Sequence, residues 1–519
     1  MKKLQFLSLK LISLSFFVLT TLALHATEFR FRGLTYTLLT DSTVEVSGID
    51  TAYIGGVSIL DEVMHDSVVY TVVAIGNSAF EHAKGVNYVM LPSTLRQIGD
   101  SAFKGCISLG AIATPANLLS VGKAAFSGCT SLRSISLPDT MLSIGESAFA
   151  DCASLKNIKI PAGIKQIEER TFDHCSSLVA VRIPKGVLTL GSNAFSHCSL
   201  LASIDLPDGV ISIGNAAFYN CESLRDVSVP VSVVAIGQDA FEHTLWLDDQ
   251  PDGVLYVNDV LYKYKGKMSP NTTIVIRKEV VSVTSKAFYG CDSLSSIVLP
   301  DGITSINDEC FSGCSSLQSI VMPKTMERIG SSAFFGCSSL DSLALPDGIQ
   351  SIGCRAFASC NSLATLFLPP NLQLLGKEAF RDCFVLRSVD IPSALTSVPD
   401  SAFLNCTMLT SLKFSDGVCA IGKSAFANCS SLKSVTLPAS IKTIDDKAFW
   451  GCEHLGHIFS LSENPAHLIG EFQFPESLRT IHVPRAAVRF YKQKWVSYLD
   501  FFRGEKVIAA RSHLYLFHP

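Results

Sequence analysis

Charge is scarce in this sequence, and long apolar runs are scarcer. Only 17% of the 519 residues are Asp, Glu, Lys or Arg, and the net charge is −4. Such a chain offers no basic patch to draw in nucleic acid or an anionic membrane. Apart from the segment Leu11 to Leu24, nothing approaches the roughly 20 apolar residues that a membrane-spanning helix needs. The motifs of common catalysis are missing as well: no Gly-rich phosphate loop, no HExxH and no GxSxG. Asp and Glu are scattered, without a recurring pair to act as opposed catalytic carboxylates. These absences point away from an enzyme and imply no cofactor and no metal.

The first residues, Met1-Lys2-Lys3, precede the apolar run, and His25-Ala26-Thr27 follows it. A positive start, a short apolar core and a small residue at a cleavage point read as a secretory signal peptide over 1–26. No Cys follows the run to carry a lipid. The expected location is secreted or on the cell surface, with no membrane-spanning segment in the mature chain.

What the sequence does have is a period. Phe occurs every 23 residues from Phe80 to Phe241 and again from Phe288 to Phe449, with a single step of 47 between the two series. Ala precedes fourteen of these sixteen Phe, and Cys stands three residues after fourteen of them. A fixed period of this length marks a stacked repeat. In the unit from Phe126, Leu132, Ile135 and Leu137 alternate as a short strand with one apolar side, and Pro138 closes it. Ile144-Gly145 starts the return, and Ala148-Phe149 packs back against the strand. One such coil cannot bury both layers, whereas stacked coils can. With neighbouring strands roughly 4.8 Å apart, sixteen coils build a body on the order of 75 Å long.

The unit LxxIxLPxxIxxIGxxAFxGCxS resembles the BspA-like class of leucine-rich repeats from about Ile75 to Cys452. Glu168, Asn307, Pro399 and Asp445 depart from it at the Gly of Ile-Gly, and Ser415 departs at the strand-closing Pro. The resemblance implies a leucine-rich-repeat solenoid of bacterial surface type: a curved right-handed stack of short parallel strands, with short helical or turn segments on the other face and a cap at each end. Residues 27–73, with alternating stretches such as Thr43-Val44-Glu45-Val46, read as an N-terminal β cap, 74–452 as the solenoid and 453–519 as a C-terminal cap.

About 24 extra residues enter between Phe241 and the strand at Ile274 and Ile276. Val254 to Val257 and Val260 to Tyr264, joined by Asn258-Asp259, read as a β-hairpin insert at about 245–270. Because those two Ile keep their phase, the insert is expected to be removable from the stack. Its aromatics, Trp246, Tyr256, Tyr262 and Tyr264, either contact a glycan or peptide or pack the hairpin onto the solenoid.

One Cys per coil, in an odd total of 17, argues for buried thiols over a disulfide framework. His174-Cys175 and His197-Cys198 fall in phase on adjacent coils, but adjacent side chains point different ways, so a closed four-ligand zinc site is not expected. The outward strand positions are small, Ser-rich and nearly neutral. Val298, Val321, Ala344 and Phe367 form one apolar stripe among them and are the best candidates for a binding patch. The expected function is an exported binding scaffold for adhesion to, or recognition of, an extracellular protein or glycan. The resemblance implies host matrix proteins, host-cell surfaces or other bacteria as partners. The alternatives are a carbohydrate-processing enzyme or accessory protein, and a structural envelope component.

Overall fold

A computed structural model describes residues 28–470 and 473–498. The proposed signal peptide lies outside the described residues. The chain forms a parallel β-solenoid of about 18 turns with little helix.

Every coil has three limbs, and the alternation of the sequence explains each. In Ser134–Ser136 the outward serines flank a buried Ile135. Its strand pairs in parallel with Ala111–Ala113 on one side and, at Asn157, with the next coil on the other. The chain turns at Pro138, where the Met141 amide donates to the Pro138 carbonyl at 3.2 Å. A two-residue strand, Ser143–Ile144, then joins a second parallel sheet through Ser120–Val121. Gly145 ends it, because a Cβ there would lie 2.5 Å from the Lys123 nitrogen of the previous coil. The third limb carries the ladder aromatic, whose amide donates to the next coil's Ala carbonyl, as Phe126 does to Ala148 at 2.8 Å. The limbs opposite the long strands are thus turns and two-residue strands, where short helices were also expected. Among the described residues, α-helix is confined to Leu245–Asp248 and Val488–Lys494.

The departures from the repeat are absorbed. Turns at Glu168, Asn307, Pro399 and Asp445 close with the same three-residue backbone hydrogen bond as those at Gly.

The ladder rings are fully buried and stacked, with centroids 4.9 to 5.6 Å apart within each series. The ladder thiols add a bond that composition alone does not reveal. Cys106 Sγ donates to the Phe80 carbonyl at 3.0 Å, and Cys314 does the same to Phe288 at 3.1 Å. All seventeen cysteines are free thiols. Burial pushes the thiols of Cys106, Cys337 and Cys383 up to about 12.

The first described strands, Glu28–Phe31, Leu34–Leu38 and Thr43–Ile49, run antiparallel and join the second sheet through Val68–Ile75. Phe29, Tyr36, Val44 and Val46 extend the core there. At the other end Tyr491, Trp495 and Tyr498 pack around Phe474, itself stacked 5.9 Å from Phe449.

The 47-residue step corrects the expectation of a removable insert. Gly253–Val257 and Val260–Lys265 do form a hairpin, but its second strand pairs in parallel with Ser282–Val283 of the following coil. Tyr264 stands 23 residues after Phe241 and donates its amide to the Ala287 carbonyl at 2.7 Å, as a ladder Phe does. Gly266, two residues on, has φ +79, close to the +69 and +78 of its counterparts Gly290 and Gly313. The insert is therefore a layer of the stack. The Phe241 amide, lacking an Ala carbonyl to meet, donates to the Tyr262 hydroxyl at 2.9 Å. The stacked Phe ladder is broken here, and the buried residues fall into two clusters that meet at Leu261 and Tyr262.

Candidate binding surfaces

Because every second residue of a long strand faces outward, each outward phase makes a column along the solenoid. Before the insert one column reads Met90, Ala113, Ser136, Lys159, Arg182, Asp205 and Ser228, all exposed. After it, the same column reads Val275, Val298, Val321, Ala344 and Phe367. Val275, Val298 and Val321 are direct register partners, and Leu343 pairs with Leu366 immediately before Ala344 and Phe367. Val275 is 70% exposed, Val321 56% and Phe367 78%. Ala344 is also exposed and Val298 half-buried. The structure brings the four expected residues together and adds Val275, which the sequence hides between Ile274 and Ile276. Asp390 ends the stripe. Covering such side chains with a partner gains about 1.5–3 kcal/mol for each one fully buried.

The insert aromatics do not gather into one exposed set. Tyr262 is buried and occupied by the Phe241 amide; burial raises its phenol's pKa. Trp246 is half-buried, 4.7 Å from the Phe241 ring, and Tyr264 lies 6.4 Å from Phe288. The Arg277 guanidinium covers the half-buried Tyr256 ring at 3.7 Å. Each of the four has a packing partner within the chain.

A second apolar column went unread in the sequence. Leu119, Leu142, Leu188, Ile211, Val234 and Val281 are exposed beside the two-residue strands, each seven residues before a ladder Phe. Reading that single phase of the repeat would have found it, with Lys165 as its one interruption before the insert.

Cys175 and Cys198 point inward, donating to the Phe149 and Phe172 carbonyls, while His174 and His197 face outward and stack with centroids 4.0 Å apart. Burial, together with the charge of His174, lowers the His197 pKa.

The chain matches the family described as BspA type leucine rich repeat region, in six copies, over residues 67–165, 142–249, 261–386, 332–456 and 373–493. The break at 250–260 falls in the hairpin. No curated protein matches. Among solved structures, a leucine rich cell surface protein from Faecalibacterium prausnitzii is 24% identical, with a TM-score of 0.40, over 75% of this chain and 95% of its own. A leucine-rich repeat protein from Bacteroides ovatus is 26% identical, with a TM-score of 0.36, over 90% of this chain and 97% of its own. The leucine rich repeat protein of T. pallidum is 32% identical, with a TM-score of 0.31, over 35% of this chain and 86% of its own.

Proposed function

Because this chain belongs to the BspA-type leucine-rich-repeat family, we propose that it is an exported adhesion or recognition scaffold that holds an extracellular protein or glycan along its long-strand face. The family is one of surface proteins, and its solenoids are typically binding scaffolds without catalysis. The observation that carries the reading is the stripe from Val275 to Phe367. It is a contiguous apolar column over five coils, apart from the exposed Tyr88, Met90 and Phe459 nearer the two ends of the face, and such a patch is the signature of an interaction site. Small residues on its flanks, such as Ser296, Ser319 and Ser342, leave a partner free to lie flat against the sheet.

The test is capture of extracellular matrix proteins and glycans from an array by the mature chain and by a Val321→Ser/Phe367→Ser variant. Loss of capture, with the melting temperature held, supports the long-strand face. Undiminished capture by that variant, with loss in a Leu142→Ser/Ile211→Ser variant, moves the site to the column beside the two-residue strands.

A further inference from the structure

Asp173 is the only fully buried carboxylate among the described residues. Its Oδ2 is satisfied by Arg170, whose Nη2 lies 2.8 Å and Nε 3.0 Å away. Its Oδ1 is shielded from water and accepts no hydrogen bond. Leaving a buried carboxylate oxygen unpaired is costly, so its surroundings matter. That oxygen lies 2.9 Å from His174 Nδ1 and 3.7 Å from His197 Nδ1. The short approach to His174 lacks the alignment of a hydrogen bond, so the atoms turn toward a common space. All three lie within 4.8 Å of one another.

Nor does the backbone require histidine at these places. His174 and His197 have φ of +59 and +60, and the same position in other coils is held by His82 and His243 but also by the smaller Gly128 and Asn220. These smaller residues suit that conformation better than imidazole does.

We propose that Asp173 Oδ1, His174 Nδ1 and His197 Nδ1 form a half-open site for a divalent transition cation of the zinc class. Two imidazoles and one carboxylate suit zinc and its neighbours, whereas calcium and magnesium prefer oxygen alone. Bonds of about 2.0–2.1 Å in a tetrahedron put ligand atoms about 3.3 Å apart, between the two separations observed. Binding turns the two part-exposed imidazoles out of their 4.0 Å stack, so that both Nδ1 lone pairs meet the cation. The Ser196 hydroxyl lies 2.8 Å from His197 Nδ1, and a cation at that nitrogen takes the place of this contact. Asn220 Nδ2 lies 3.1 Å from His197 Nε2; with the amide reversed, its oxygen accepts Nε2–H and fixes the tautomer whose Nδ1 can ligate. The His174 side chain is 47% exposed and that of His197 35%, so a cation can enter from solvent and keep water in its open position. The Arg170 charge on the far carboxylate oxygen opposes the cation and keeps its affinity modest.

The test titrates the chelator-stripped mature chain with Co²⁺, followed by visible absorption, and then displaces it with Zn²⁺. The expected result is one Co²⁺ per chain, without a thiolate-to-metal charge-transfer band. His174→Asn, His197→Asn and Asp173→Ser should each weaken binding by more than about tenfold, and Asn220→Ala by about tenfold. Asn220 and Ser196 already occupy these places in a neighbouring coil, so the variants should keep their melting temperatures. The proposal is overturned by no saturable absorption, by binding unchanged in all three ligand variants, or by a charge-transfer band that disappears in Cys354→Ser, the variant of the exposed thiol.

Discussion

The coils before the insert and those after it share a framework and differ in what they show to solvent. Both series stack Phe rings at nearly the same spacing, 5.5 Å for Phe218 on Phe241 and 5.4 Å for Phe288 on Phe311. Both return a thiol hydrogen to a Phe carbonyl in successive coils. On the long strands, however, Lys159, Arg182 and Asp205 give way to Val298, Val321 and Ala344. Beside the two-residue strands the change is reversed: Leu188, Ile211 and Val234 precede Thr304, Glu327 and Gln350. Inward phases are constrained by the coil above and the coil below, so they repeat. Outward phases touch no neighbour strongly enough to be held, and these are free to carry recognition.

If the framework is common, both series should respond alike to alkali. A thiol that stays protonated in the fold but ionises in the unfolded chain favours folding only below the unfolded value. Stability is therefore complete below about pH 8.5 and falls as pH rises toward about 12, by about 1.4 kcal/mol per pH unit for each such thiol. Urea midpoints at pH 8 and pH 10 check this, and summed over several thiols it is the largest effect expected. A pH-independent midpoint would mean that the ladder sulfurs are reachable by water in the fold.

Next in size are single rings. Phe218→Ala and Phe334→Ala should each cost about 3–5 kcal/mol in urea unfolding, one in each series. A large difference between them would show that the two series are not equivalent. Smaller again is the junction. Tyr262→Phe removes the hydroxyl that meets the buried Phe241 amide and should cost about 1–3 kcal/mol. The outward swap Val321→Ser/Phe367→Ser should move stability least, within about 0.5 kcal/mol for each change. Thermal melting of that variant beside the native chain measures it.

The 23-residue period, the strand faces and the buried thiols were legible because one physical demand recurs in every coil. The junction was not. Tyr264 keeps the ladder phase, but Lys263 replaces the preceding Ala and Lys267 replaces the following Cys, so the coil does not resemble its neighbours. Only Gly266 keeps the expected type. The stripe was legible apart from Val275, whose coil begins inside the irregular segment. Asp173 was missed because its phase is usually filled by residues such as Ser127, Ala150 and Ser196, and nothing local marks a carboxylate there as buried.

The central claim is that one continuous stack runs through the insert and joins two series with different outward faces. Hydrogen exchange on the native chain measures this directly, since loops open far more readily than core strands. The amides from Val254 to Tyr264 should be protected as strongly as those of Ser203–Asp205 and Leu294–Val298 on either side. Fast exchange across the hairpin, with both flanks still protected, would make it an appendage and contradict the account.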